Sequence, residues 1–347
     1  MTSSIGAAVK TPTASEESAS SFHDAVAALR TLTADDLTRV NEAILGRMKS
    51  PVSLIPELAG HLINAGGKRV RPMLTLAAAN LLDYRGDNHV KLAAAVELIH
   101  GATLLHDDVV DASMLRRGVE TANTIWGNKE SVLVGDFVFS RSFELMVDAG
   151  DLRVLQVLSR ASCVIAEGEV LQLSTQNNTS TTYEMYLAVV EAKTAALFAA
   201  AAQSGALIAG ANETVENALR NYGRNLGVAY QLVDDALDYA GFESMLGKTV
   251  GDDFREGKMT LPVVYAIERA QSDETAFWDR VMTPGRQQPE DFERARELMI
   301  RDDAIVDTIA CAKQFAQAAV DDLSLTPDNE YATALVDLVE SSVARVF

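Results

Sequence analysis

Residues 92–111 read LAAAVELIHGATLLHDDVVD. Leu92, Ala95, Val96, Ile99, Ala102 and Thr103 recur at the three- and four-residue spacing of a helix with an apolar face, and the stretch runs into three aspartates. The same Ala- and Leu-rich periodicity returns along the rest of the chain. Valine-rich stretches such as residues 131–138 are short, and no series of alternating runs separated by hairpin signals occurs. An all-α fold follows. At 347 residues the length admits one large domain or two. The Gly, Pro and Asn clusters near residues 49–52, 83–88, 176–182, 241–262 and 283–289 punctuate helices and lack linker character. One helical domain over residues 22–347 is expected, after a Ser-, Ala- and Thr-rich arm over residues 1–21 that is expected to be disordered. Thr181 with Glu184 predicts a capping box opening a helix that runs to about Ala209, and Pro262 suits a helical first turn.

The formal net charge of −19 leaves no basic surface for nucleic acid, so nucleic acid is excluded as a partner. An anionic ligand would have to be met by clustered cations or by metal ions on acidic residues. Two cysteines, Cys163 and Cys311, sit in apolar helical patterns and are expected to be buried thiols in a reducing compartment. The first residues lack the basic start and apolar core of a signal peptide. The most apolar stretch, residues 194–211, is mostly alanine and is interrupted by Gln203 and Ser204, which suits a close-packed core helix. A soluble, cytoplasmic protein is expected.

One internal echo carries chemistry: Asp107-Asp108-x-x-Asp111 returns as Asp234-Asp235-x-x-Asp238, each in an apolar helical context. Carboxylates four residues apart share a helix face and repel. Among Leu and Val their pKa values would rise without a compensating cation. Mg²⁺ suits such a pattern, because it takes one or two carboxylates, keeps water and completes its shell with phosphate oxygens. The alternative is a solvated acidic face, which two copies in apolar surroundings disfavour. Cations accompany the pair. Lys68, Arg69 and Arg71 form a turn before a helix, a cradle for a diphosphate, and Arg116 and Arg117 follow the first aspartates by one turn. His100 lies two turns before Asp107 on about the same face.

These strings resemble the trans-prenyl diphosphate synthases, and within them the long-chain group that makes polyprenyl tails of quinones. The resemblance runs in order from about Leu54 to Pro262: GGKRVRP, LLHDDVVD, RRG, GEVLQL, KT, QLVDDALD and GKTVGDDFREGKMTLP. It implies an isoprenoid-synthase helical bundle with a central active-site cavity, and Mg²⁺ held mainly by Asp107, Asp111 and Asp234, with Asp108, Asp235 and Asp238 in support. By the same resemblance Lys68, Arg71, His100 and Arg117 would hold isopentenyl diphosphate. Arg116, Lys193, Thr194, Gln231, Lys248 and Lys258 would contact an allylic diphosphate such as farnesyl diphosphate. A homodimer is implied, as is peripheral membrane contact when the apolar product leaves.

Breaking an allylic carbon–oxygen bond leaves a diphosphate anion and a delocalised cation, so Mg²⁺ and the lysines would stabilise the charge on the departing oxygens. The double bond of isopentenyl diphosphate would then attack, with the released diphosphate as proton acceptor. Ala102 and Thr103, five and four residues before Asp107, are expected to wall the tail below the metal with Ile99 and Val96 beneath. Short-chain relatives commonly carry an aromatic residue there, so small residues imply an open tunnel and a tail of eight to ten isoprene units. Other readings are a shorter geranylgeranyl product, a class I terpene cyclase, and a non-catalytic subunit of a heteromeric synthase. Lys68, Arg71 and Arg117 argue against the cyclase, and two intact aspartate motifs against the subunit.

Overall fold

The computed structural model describes residues 14–64, 67–240 and 250–345. The chain passes through α1 (Ala14–Leu32), α2 (Ala34–Arg47), α3 (Leu54–Asn64), α4 (Val70–Leu81) and α5 (Asn88–Val110) before a hairpin of β1 (Leu115–Arg116) and β2 (Val119–Glu120). There follow α6 (Ala122–Trp126), α7 (Asn128–Ala149), α8 (Leu152–Thr175) and α9 (Tyr183–Val190), then a π-helical turn (Glu191–Ala195) that leads into α10 (Ala196–Ile208). The remaining helices are α11 (Glu213–Ala240), α12 (Asp252–Arg255), α13 (Leu261–Glu268), α14 (Thr275–Val281), α15 (Asp291–Arg301), α16 (Ala304–Leu323) and α17 (Glu330–Ala344). The all-α expectation holds, and Pro262 sits in the first turn of α13.

The bundle is organised around α10, which packs against α4, α5, α8 and α11. A helix that is apolar on every side has nowhere to go but the interior. Leu197, Phe198, Ala200, Ala201, Ala206 and Leu207 are accordingly buried, and the alanines let neighbouring helices approach closely. Residues 183–208 are, among the described residues, the one stretch long and apolar enough to cross a membrane, and its α10 part is occupied by these four helix contacts. At the outside, α1 lies along α17, so the two ends of the described chain meet. Tyr222 of α11, fully buried, donates its hydroxyl to the Leu335 carbonyl of α17 at 2.7 Å.

Three expectations need correction. Helix α1 begins at Ala14, so residues 14–21 are helical and not part of a disordered arm, while residues 1–13 lie outside the described residues. Docking explains it, because Phe22, Val26 and Leu29 form a buried stripe. The cap of α9 is Thr182, whose hydroxyl accepts from the Met185 N–H at 3.3 Å, whereas Thr181 turns its hydroxyl to the Thr175 carbonyl. Cys311 is buried but Cys163 is exposed. The core stripe of α8 is Val154, Leu158, Ala161 and Ile165, and Cys163 falls off it.

Because the Tyr222 hydroxyl has no route to water, Tyr222→Phe is expected to lower stability by about 1 kcal/mol, the usual worth of a buried hydrogen bond. A shift in the urea midpoint at unchanged slope would measure it.

Candidate active site

A cavity of about 890 Å³ opens at one end of the bundle, and both aspartate motifs face it. Asp107 lies in α5 and Asp111 caps its C-terminal end, and Asp234, Asp235 and Asp238 come from α11. Burial lifts the Asp107 carboxyl to about 7 against the pull of Lys193. Asp235 rises to about 8 and Asp238 to about 7, again through burial first and then through repulsion by Asp253. The crowding anticipated from the sequence is therefore real.

Four of these carboxylates are steadied by groups outside the D-D-x-x-D spacing. The Tyr186 hydroxyl and the Gln231 amide donate to Asp235 at 2.6 and 2.7 Å. Asp238 accepts from the backbone N–H groups of Gly251 and Asp253 at 3.2 and 3.1 Å. Asp234 accepts from the Arg345 guanidinium at 2.9 Å, and Asp111 lies 3.7 Å from the Lys258 ammonium. Burial works against the charge of Lys258, but Asp253, Asp111 and Glu256 outweigh it and raise its pKa well above the ordinary value. Asp108 differs from the rest. It is buried, stays off the cavity wall, and takes Nε and Nη2 of Arg116 on one oxygen at 2.9 and 2.6 Å. Its place is to hold Arg116.

The same cavity holds a cluster of cations. The α4 entry puts Lys68 and Arg71 at the cavity, with Arg69 between them in a left-handed conformation and ion-paired to Glu97 of α5. Burial raises the Glu97 pKa, and Arg69 and Arg71 oppose that rise. Arg71, half-buried on the cavity wall, donates to His100 Nε2 at 3.2 Å. A guanidinium can only donate, so His100 accepts there and carries its proton on Nδ1. Burial, with Arg71 and Arg117 beside it, keeps the imidazole neutral. The β1–β2 hairpin pairs Arg116 with Val119, and its two-residue turn places Arg117 at φ 55° and Gly118 at φ 78°. Those angles suit a type I′ turn, which is rarely given to arginine, and they deliver Arg117 to the cavity wall.

Lys193 and Thr194 are consecutive, yet both reach the cavity, and the π-helical turn is the reason. Its extra residue lets Lys193 donate to Glu169 and Gln172 of α8 at 2.7 and 2.8 Å while Thr194 donates to Gln231 of α11 at 2.9 Å. Helix α8 comes close here because of Gly168, where a Cβ would stand 2.9 Å from the Lys193 nitrogen.

The tail-side residues are divided. Thr103 lines the cavity with Leu104, Val138 and Ile165, but Ala102 and Ile99 are 1 % and 0 % exposed and, like Val96, stand behind the wall in the packed core. Lys248 lies outside the described residues. The sequence reading assigned no role to Phe22, Glu97, Tyr186, Tyr230 or Arg345, all of which line the cavity. A Glu three residues before His100 shares its helix face and could have been found; Phe22 and Arg345 carry no local signal.

Among the described residues no three His, Cys, Asp or Glu side chains are close enough to cage a metal ion. Mg²⁺ takes few protein ligands and fills its shell with water and phosphate oxygens. Buried carboxylates on facing helices supply those few ligands.

A family model described as "Polyprenyl synthetase" matches residues 52–299. The chain belongs to the polyprenyl synthetase family. It is a prenyltransferase. The octaprenyl diphosphate synthase of Escherichia coli (strain K12) is 44 % identical over 314 residues, covering 90 % of this chain and 97 % of that one. Among solved structures, a decaprenyl diphosphate synthase from Rhodobacter capsulatus is 51 % identical with a TM-score of 0.89, covering 92 % of this chain and 98 % of that one. A polyprenyl synthase from Caulobacter crescentus CB15, complexed with calcium and isoprenyl diphosphate, has the same identity and TM-score, with 92 % and 97 % covered. In this polyprenyl synthetase, Phe22 and Arg345 fall outside the matched residues 52–299 although both line the cavity.

Glu97→Gln removes the partner of Arg69 inside the cation cluster. A loss of about 2 kcal/mol in stability is expected, the scale of a hydrogen bond between charged groups, read from urea unfolding at neutral pH.

Proposed function

We propose that this prenyltransferase lengthens an allylic diphosphate with successive isopentenyl diphosphate units into an all-trans polyprenyl diphosphate of eight to ten isoprene units. The observation that carries the reading is one cavity lined both by the two aspartate motifs and by a cluster of cations. Two diphosphates must be held at once, one to depart and one to stay, and carboxylates able to hold metal together with a cation cluster answer that need. The octaprenyl and decaprenyl names of the relatives favour the long product. The purpose is a quinone side chain, the primer is farnesyl diphosphate and the compartment is the cytoplasm.

Asp107 and Asp111 on one wall and Asp234 on the other would hold Mg²⁺, which would neutralise charge gathering on the departing diphosphate. Lys193 and Lys258 stand at the same end and donate to the leaving oxygens. Arg116 reaches them from its seat on Asp108. Lys68, Arg71 and Arg117 keep the second diphosphate bound through the reaction, and His100 offers it an Nδ1–H. Thr194 and Gln231, joined to each other, contact the allylic diphosphate. No side chain need attack, and the departing diphosphate itself receives the proton lost from the new allylic unit.

The partner of this chain is a second copy. Leu133 and Val147 on α7 and Val170 and Leu173 on α8 are each more than half exposed, an outward apolar surface that a monomer would leave in water. The acidic exterior leaves peripheral membrane contact to the apolar product rather than to surface charge.

Incubation with Mg²⁺, farnesyl diphosphate and labelled isopentenyl diphosphate is expected to yield tails of forty to fifty carbons after dephosphorylation and chromatography, and chelation of the metal to stop incorporation. Absence of metal-dependent incorporation would sink the reading. Thr103→Phe, on the cavity wall four residues from Asp107, should shorten the main product by several units. Light scattering should give the mass of two chains, and Leu133→Glu should shift it toward one.

A further inference from the structure

Three cations at the second-diphosphate end of the cavity lie on aromatic faces. The Lys68 ammonium is 4.5 Å from the Phe22 ring centroid, and the Arg345 guanidinium lies 4.7 Å from Phe22 and 4.4 Å from Tyr230. Arg71 lies 4.4 Å from Phe198. Phe22, Tyr230 and Phe198 form a chain of rings with centroids 6.1 and 6.0 Å apart. Arg345 and Arg71 have other holds, since Arg345 pairs with Asp234 and Arg71 donates to His100. Lys68 is different: among the described residues no carboxylate is within ion-pair reach of its ammonium, and the Phe22 face is its direct partner. Burial and the nearby Arg345 disfavour its charge, lowering its pKa to about 8.

We propose that Phe22, on the N-terminal helix, is a positioning residue for substrate binding: its ring face holds the Lys68 ammonium charged and aimed into the cavity for the isopentenyl diphosphate. The inference rests on the assignment of that diphosphate to the cation cluster. Phe22 is 1 % exposed and its helix is fixed to α17, so the ring cannot drift from the ammonium. The same helix also anchors the backbone of Lys68, whose carbonyl accepts from the Arg30 guanidinium at 3.3 Å. An ammonium over a ring face is held more firmly the less water surrounds it. An aliphatic side chain of similar size fills the volume but offers no negative face. Without the ring, Lys68 would lean away from the cavity or lose its proton sooner, and the bound diphosphate would lose one cation.

Steady-state kinetics with each substrate varied separately tests this. Phe22→Leu and Phe22→Met should raise the KM for isopentenyl diphosphate about tenfold while kcat and the KM for the allylic diphosphate stay within about twofold. Phe22→Tyr, which keeps the ring face, should restore the wild-type KM. In a Lys68→Met background, Phe22→Leu should add no further change. Phe22→Met guards against failure of the leucine variant to fold, checked by circular dichroism. The inference is overturned if both KM values and kcat worsen together, if tyrosine is no better than leucine, or if the effects of Phe22→Leu and Lys68→Met simply add. An unmodified protein that incorporates no isopentenyl diphosphate would instead overturn the substrate reading, and with it this inference.

Discussion

Like charges confined in a place that excludes most water are the constraint around which this molecule is arranged. Six aspartates face one cavity, and burial, with repulsion among neighbouring carboxylates, drives three of them toward neutrality. The fold answers by bringing partners to four of them: the Tyr186 hydroxyl and the Gln231 amide one turn back for Asp235, two backbone N–H groups for Asp238, Lys258 for Asp111 and Arg345 for Asp234. The cation cluster shows the same logic in reverse, with Glu97 set among arginines and a neutral His100 accepting from Arg71. Charges so placed are already desolvated and oriented when a ligand arrives, and little reorganisation is left for the reaction itself.

The backbone is bent to serve that placement at two points. A π-helical turn splits Lys193 and Thr194 toward different neighbours, and a tight hairpin turn accepts arginine at positive φ to bring Arg117 inward. Departures of this kind from regular geometry cost free energy and tend to persist where function holds them. Both fall on residues that line the cavity.

Much of this was legible beforehand, and the reason is periodicity. Asp107 with Asp111, and Asp234 with Asp238, are local pairs whose helix faces follow from spacing, and so is the alternation that makes α10 a core helix. What escaped was whatever depends on contact between distant segments. Phe22 looked like the edge of an arm because its burial is supplied by α17, over three hundred residues away. Asp108 read as a supporting ligand because the spacing does not reveal that Arg116 folds back on it. Ala102 was expected on the wall and lies behind it, since a helix with neighbours on several sides has more than one buried face and spacing from Asp107 does not say which face meets the cavity. The hairpin was missed because two-residue strands are too short to alternate.

The meeting of α1 with α17 gives the two halves of the cavity unequal resistance to local opening. The carboxylate walls are carried by α5 and α11, helices embedded among many neighbours, whereas Phe22 and Arg345 hang on elements at the margin of the fold. Marginal helices open at lower free energy than central ones. A molecule frayed at either end would keep its acidic half and lose part of its basic half, becoming a weak cation binder that cannot retain a diphosphate. Protection against hydrogen exchange should accordingly fall off from the aspartates toward the terminal helices, and a substrate that seats itself against Phe22 and Arg345 would draw both ends of the chain into the protected core.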